Sequence, residues 1–263
     1  MSFNRGGRDF AVVEVDSGLV AVLTSTRLPR EPIDLRHFRI VVHTGWRRRQ
    51  LGSRLLGLVR SQDGNPTTLQ CNCNRSWRAG TAFLAHHGFT TVRREKLMQR
   101  EGPSPGRAKP LVDLAIRPFG SRGDPDTWSA LHNRSYRDAP DFVPLTVADA
   151  DVHRDKPGFR FWFAERDGVP VGFCHVSQQS IGTARIDSLV VDPNHRGRGI
   201  GRTLLTVVLG ALAGAGLGSV ALGVRADNHA AVNLYKKAGF TTVDEMITWW
   251  LPRSGSPLAS DTA

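Results

Sequence analysis

The chain has 263 residues, 40% hydrophobic and 22% charged, ordinary composition for a folded protein of one large or two modest domains. The formal net charge is +11, and the whole excess lies in residues 1–110, where 17 Arg and 2 Lys face 8 acids. An N-terminus without an apolar leader and only three cysteines argue against secretion and a disulfide framework, so the expectation is a cytoplasmic protein with no membrane anchor.

In chain order, Val12 to Val22 reads as a hairpin around Asp16-Ser17-Gly18. Trp46-Arg-Arg-Arg-Gln-Leu-Gly-Ser-Arg-Leu-Leu56 follows, and then Cys71-x-Cys73, which with only the adjacent His86 and His87 nearby does not make a four-ligand zinc site; no metal is expected. Gly88-Phe-Thr-Thr-Val92 closes this part. Glu101 to Pro110, rich in Pro and Gly, reads as a linker. Leu111–Arg117 then alternates like a strand, Asp124 starts a helix, and Asp141–Pro144 breaks the next region. Trp162 to Cys174 is a second hairpin around Asp167-Gly168, and Ile186–Val191 a further strand.

Val190 to Gly201 reads Val-Val-Asp-Pro-Asn-His-Arg-Gly-Arg-Gly-Ile-Gly: an apolar strand, a Pro turn, a glycine-rich loop and a helix starting near Ile200. Glycines at 197, 199 and 201 let several N–H groups converge at a helix N-terminus, and Arg196, Arg198 and Arg202 add charge there, which makes a pyrophosphate cradle. It is not a Walker loop, for Ile200-Gly201-Arg202-Thr203 lacks Gly-Lys-Ser/Thr, and the spacing is not that of a dinucleotide fingerprint. Residues 203–224 carry no charge, but glycines at 214, 216 and 218 divide them into a core helix and a strand over Ser219–Val224.

The chain also repeats itself. Gly88–Val92 recurs as Gly239–Val243, the 46–56 segment lines up with 195–205, and the two hairpins correspond. This gives a first module over 1–100, a linker over 101–110, a second module over 111–252 and a disordered tail over 253–263. In the first copy Arg48 and Gln50 replace Gly197 and Gly199, Trp77 stands opposite Asn228, and Leu84 opposite Tyr235. Met1 corresponds to about residue 150, so nothing matches 111–150, and the first copy is expected to be truncated and non-catalytic, a partner that packs, shields or recruits. Glu14 and Glu165 occupy equivalent positions, which favours a structural role for both.

Arg196-x-x-Gly199-x-Gly201 after Val-x-Pro resembles motif A of the GNAT superfamily of acetyl-CoA-dependent acyltransferases, and Asn228 to Phe240 resembles its motif B. The tandem layout is most similar to the mycothiol synthases within it. The resemblance implies an α/β (α+β) fold of two tandem modules, each a mixed, mostly antiparallel twisted sheet flanked by helices. It implies that acetyl-CoA is the acyl donor, held by Leu189, Val190, Val191, Arg196, Gly197, Arg198, Gly199, Ile200, Gly201, Arg202 and Asn228. Main-chain N–H near Leu189 or Val190 would meet the oxyanion, Tyr235 would protonate the departing thiolate, and Asp187 would act as base or acceptor contact. Two residues earlier on that strand, Arg185 stands where the mycothiol enzymes carry an acid, which bears on the acceptor more than on acyl transfer. The expected reaction is direct acetyl transfer to the primary amine of a small molecule, by a monomer or homodimer. A peptide N-terminus as acceptor is one alternative, and a scaffold that binds a polyanion such as RNA through residues 1–110 is another.

Overall fold

The computed structural model describes residues 8–16, 18–29, 34–61, 68–102, 111, 113–121, 123–137 and 144–251. Contacts divide the chain into two compact units, residues 1–94 with 245–263, and residues 95–244. The expected linker from 103 onward, the break at 141–143 and the tail at 253–263 lie outside the described residues.

The first unit runs β1 (Arg8–Val15), β2 (Gly18–Pro29), β3 (Asp34–Val42), a 3-10 turn (Thr44–Trp46), α1 (Leu51–Ser61), β4 (Thr68–Asn74), α2 (Arg78–His86) and the start of β5 (Thr90–Arg100). β1, β2 and β3 form an antiparallel meander, and β3 runs parallel to β4. Leu55, Leu56 and Val59 turn one face of α1 onto a core that includes Leu23, Phe38, Leu69 and Phe89. Cys71 and Cys73 lie two apart on β4, both turned into this core, and burial pushes the Cys71 thiol up to about 12. They are packing residues.

The second unit runs from the end of β5 through β6 (Leu114–Pro118), α3 (Asp124–Tyr136), α4 (Val147–Arg154), β7 (Phe159–Arg166), β8 (Val169–Ser180), β9 (Thr183–Val191), a 3-10 turn (Pro193–His195), α5 (Ile200–Gly214), β10 (Ser219–Arg225), α6 (His229–Lys237) and the start of β11 (Thr241–Leu251). The sheet is antiparallel except where β10 meets β9. It is therefore the mixed, mostly antiparallel sheet flanked by helices that the sequence implies. The α5 residues Ile200, Leu204, Leu205, Val208, Leu209 and Leu212 cover one face, at helical spacing. α3 covers the other through Trp128 and Leu131, packed on Phe161, Phe163 and Phe173.

From β1 to β5 each element of the first unit has its counterpart from β7 to β11; β6, α3 and α4 have none. The serial boundaries do not hold, however. Residues Met246–Leu251 of β11 pair with β4, and Glu95–Arg100 of β5 pair with β10. Each unit completes its sheet with strand residues that the repeat assigns to the other copy, because hydrogen-bonding partners are set by the sheet and not by chain order.

Polar contacts fix α3. Asp124, at its first turn, accepts both terminal nitrogens of Arg117 at 2.8 and 2.9 Å and the N–H groups of Gly120 and Ser121. Arg117 also donates to Glu165 at 2.7 Å, a structural role for that acid. α4 starts with a capping box: Thr146 Oγ1 accepts from the Asp149 N–H, and the Asp149 carboxylate from the Thr146 N–H, both at 3.1 Å.

Candidate active site

β9 changes partners along its length. It pairs with β10 only from Thr183 to Ile186 and then parts from it. Against β8 its register slips at the same point: Ser188 pairs with His175, Ile186 with Val176, and Asp187 is the extra residue of a bulge. β3 of the first unit pairs through without such a slip. Ile186 and Phe38 thus occupy the same place, as do Ser188 and Arg39, and Asp187 has no counterpart.

Beyond the bulge the backbone polarity of β9 is defined. The Asp192 N–H donates to Val171 O at 2.9 Å, so in the antiparallel ladder Asp192 and Val190 face β8, while Leu189 and Val191 turn their N–H and C=O groups to the other edge. The Val191 carbonyl there accepts Arg196 Nε at 3.1 Å. Leu189 presents its main chain where β10 has left.

This open edge is one wall of a cleft of about 540 Å3. Leu189, Val190, Val191, Arg196, Gly197, Gly199, Ile200, Gly201, Arg202 and Asn228 all line it; of the expected donor-binding residues only Arg198, which is exposed, does not. Gly197 and Gly199 hold φ of 77° and 83°, the left-handed region, and so let the loop curl before α5. At Gly201 an added Cβ would lie 3.5–3.7 Å from Val191, Leu234 and Leu189, ordinary contact, so this position is close-packed without demanding glycine. Asn228 caps α6, its Oδ1 accepting the Ala231 N–H at 3.1 Å, which leaves its amide nitrogen as a donor at the cleft. The turn ahead of the loop is braced by Asp192, which accepts from Arg134 at 2.6 Å and from the Asn194 N–H at 2.9 Å. Burial works against the Asp192 carboxylate, but these donors hold it below the usual range.

Tyr235 does not line the cleft. It is buried on α6, packed edge-on to Phe240, and burial above all, with Cys174 and Tyr136 nearby, pushes its phenol well up. The other tyrosine of the chain, Tyr136 at the end of α3, does line the cleft and is hydrogen-bonded to Ser188. Burial raises it too. Sequence reasoning missed Tyr136, for no motif surrounds it; the one signal was that tyrosine is so scarce here.

Asp187 also stands off the cleft, at the bulge itself. Its carboxylate lies 3.4 Å from Arg185 Nε and 3.9 Å from His175 Nε2. Arg185 therefore ion-pairs with the very acid beside it. His153 of α4 packs near His175, with ring centroids 5.9 Å apart. Neither histidine carried a sequence signal. Among the described residues no group of three or more His, Cys, Asp or Glu is arranged to hold a metal, and no helix is long and apolar enough to cross a membrane.

Comparison with known proteins agrees with this geometry. The model of the acetyltransferase (GNAT) family matches residues 125–240. A mycothiol acetyltransferase of Thermobispora bispora is 35% identical over 228 residues, 82% of this chain and 77% of the relative. One of Streptomyces avermitilis is 30% identical, over 81% of this chain and 70% of the relative. Among solved structures, a GCN5-related N-acetyltransferase of Sphaerobacter thermophilus superposes with a TM-score of 0.75 at 22% identity, covering 92% of this chain and 80% of that one. A tandem GNAT protein of the clavulanic acid pathway gives 0.76 at 20% identity, covering 97% and 86%. At such identities these two speak for the fold.

Proposed function

The chain belongs to the GNAT acetyltransferase family, and from that premise we propose that this acyltransferase moves an acetyl group from acetyl-CoA directly to the primary amine of a small molecule, in its second unit. The observation that carries the reading is the open edge of β9 at Leu189, set beside a glycine loop and the N-terminus of the fifteen-residue α5. The residues fit the donor. Its pyrophosphate needs converging N–H groups and cations, supplied by 197–202 with Arg196 and Arg202. Its extended amide-bearing arm needs an unpaired strand edge, supplied by Leu189 and Val191, with Asn228 as a further donor. Acetyl-CoA brings an acyl group activated as a thioester.

The chain's own groups have three tasks. The Leu189 N–H is the donor for charge developing on the carbonyl oxygen, a role worth about 3 kcal/mol where one such donor has been removed. Tyr235, protonated at neutral pH and at the motif position but buried behind the cleft wall, is the first candidate for the acid that gives its proton to the departing sulfur, and Tyr136, which lines the cleft, is the second. Asp187, the bulged residue of β9, is off the cleft and is assigned to the acceptor amine. The first unit has Gln50, Leu84 and Trp77 at the matching places and no residue equivalent to Asp187, which supports catalysis in the second unit alone.

The relatives are named mycothiol acetyltransferases, the resemblance to that group implies the cysteinyl amine of an amino-sugar conjugate as acceptor, and we take amines of that class as the first candidates. The test is acetyl-CoA-dependent thiol release with cysteinyl amino-sugar conjugates, aminoglycosides, free amino acids and short peptides. Release with small amines supports the reading. Release with peptides alone moves the acceptor to an N-terminus, and binding of acetyl-CoA without release from any of them overturns transfer to this acceptor class.

A further inference from the structure

Behind the bulge, on the face of the sheet covered by α3 and α4, lies a polar group buried among aromatic rings. His175 on β8 points Nε2 toward Asp187 Oδ2 at 3.9 Å, and its ring is surrounded by Trp128 at 5.5 Å, Phe159 at 5.0 Å and His153 at 5.9 Å between centroids. His153 Nδ1 in turn meets Lys156 Nζ at 3.1 Å, at the exposed end of α4. The Trp128 Nε1 atom is buried in the same cluster and has no hydrogen-bond partner. Asp187, His175, His153 and Lys156 thus form a chain of groups from the bulge to the surface.

Comparison of the two copies separates fold from function. Thr24 stands in β2 where His175 stands in β8, β3 has no equivalent of Asp187, and the α4 segment that carries His153 has no counterpart among the described residues. The apolar frame is shared: Leu55 and Leu56 match Leu204 and Leu205, and Phe89 matches Phe240. Every polar member of the chain of groups is private to the second unit. A sheet of this shape folds without them.

We propose that His175 is the base that takes the proton from the acceptor ammonium, that Asp187 positions it, and that His153 passes the proton on toward solvent. This rests on the acetyl-transfer reading. The balance is simple. The nitrogen forms a bond to the acyl carbon, the carbon–sulfur bond breaks, and the ammonium gives up two protons while the thiolate takes one. The other proton leaves along His175 and His153, so one proton is released per turnover. Burial lowers His175 to about 4 against the pull of Asp187, which leaves it neutral and able to accept but disfavours its imidazolium, so the proton rests there only briefly beside the Asp187 carboxylate; burial with Lys156 lowers His153 as well. The groups facing His175 are Asp187 and Ser188 on β9, His153 on α4, Lys156 beyond it, and the uncharged Trp128, Phe159 and Phe161.

The test is the pH–rate profile of the full chain and of His175→Gln and His153→Gln, with thiol release and acetyl-CoA binding measured in parallel. For His175→Gln the expected result is a kcat/KM about 10²-fold below wild type at pH 7 with acetyl-CoA affinity unchanged. The deficit should shrink toward pH 9–10, where the amine arrives already neutral. His153→Gln should show a smaller deficit with the same trend. A deficit that is constant across pH, or a loss of acetyl-CoA binding with it, makes His175 a packing residue and overturns the proposal while acetyl transfer stands. Wild-type protein that binds acetyl-CoA and releases no thiol takes down both.

Discussion

Gln50 and Gly199 hold the same left-handed backbone, φ 60° against 83°, at the same step of the two loops, and Arg48 and Gly197 repeat the relation at 60° and 77°. The first copy has lost the glycines and kept the curl. A side chain in that region costs about 1–2 kcal/mol. Gln50→Gly should therefore stabilise the protein by about 1 kcal/mol, read as a raised denaturation midpoint with an unchanged slope. An unchanged or lowered midpoint would show that the Gln50 side chain contributes more than its backbone loses.

The reciprocal change, Gly199→Gln, should fold, because the first copy shows that glutamine accepts this conformation. Its cost falls on the ligand, since the side chain occupies the mouth of the loop. Acetyl-CoA affinity should fall at least tenfold in calorimetry. Retained affinity would mean that the loop's N–H groups and not its openness hold the donor.

The two tyrosines make different predictions. Tyr235→Phe should lower turnover by about 10²-fold and leave acetyl-CoA affinity nearly intact. Tyr136→Phe removes the hydrogen bond to Ser188 in the cleft wall and should raise KM more than it lowers kcat. The opposite split, measured by steady-state kinetics, would transfer the acid role to Tyr136.

Asp124 gives a prediction about pH. Burial disfavours its charge, but Arg117, Gly120 and Ser121 outweigh burial and hold it well below the usual carboxylate range. A carboxylate lowered on folding stabilises the protein above its unfolded value, near 3.9, and that stability is lost as pH falls below it. Asp124→Ala leaves Arg117 without its main partner and should cost about 3 kcal/mol at pH 7. The gap between variant and wild type should narrow in urea melts as pH drops toward 3. A gap independent of pH would assign the loss to packing.

What could be read in the sequence was whatever is written locally. The glycine loop, the helix start at Asp124, the hairpin turns and the repeat itself all depend on neighbours within a few residues, and the structure has them where the sequence implies. Asp187 was legible as a strand acid, but its bulge is a property of pairing with His175 and Val176, which no local pattern encodes. Tyr136, His153 and His175 come from three separate elements and meet only in the folded unit. The partners of β5 and β11 were illegible for the same reason: both halves of each strand have ordinary strand composition, and only the sheet decides where Glu95 and Met246 belong.

That pairing makes the first copy hard to lose. A gene trimmed at the linker would yield a second repeat whose β10 lacks Glu95–Arg100 and whose β11 lacks β4. Six residues of one strand and six of another tie the two copies together. The loops of the two copies differ, arginine and glutamine standing against glycine, while their strands are shared. Neither repeat, cut at the chain's midpoint, would carry all the strand residues its own sheet pairs with.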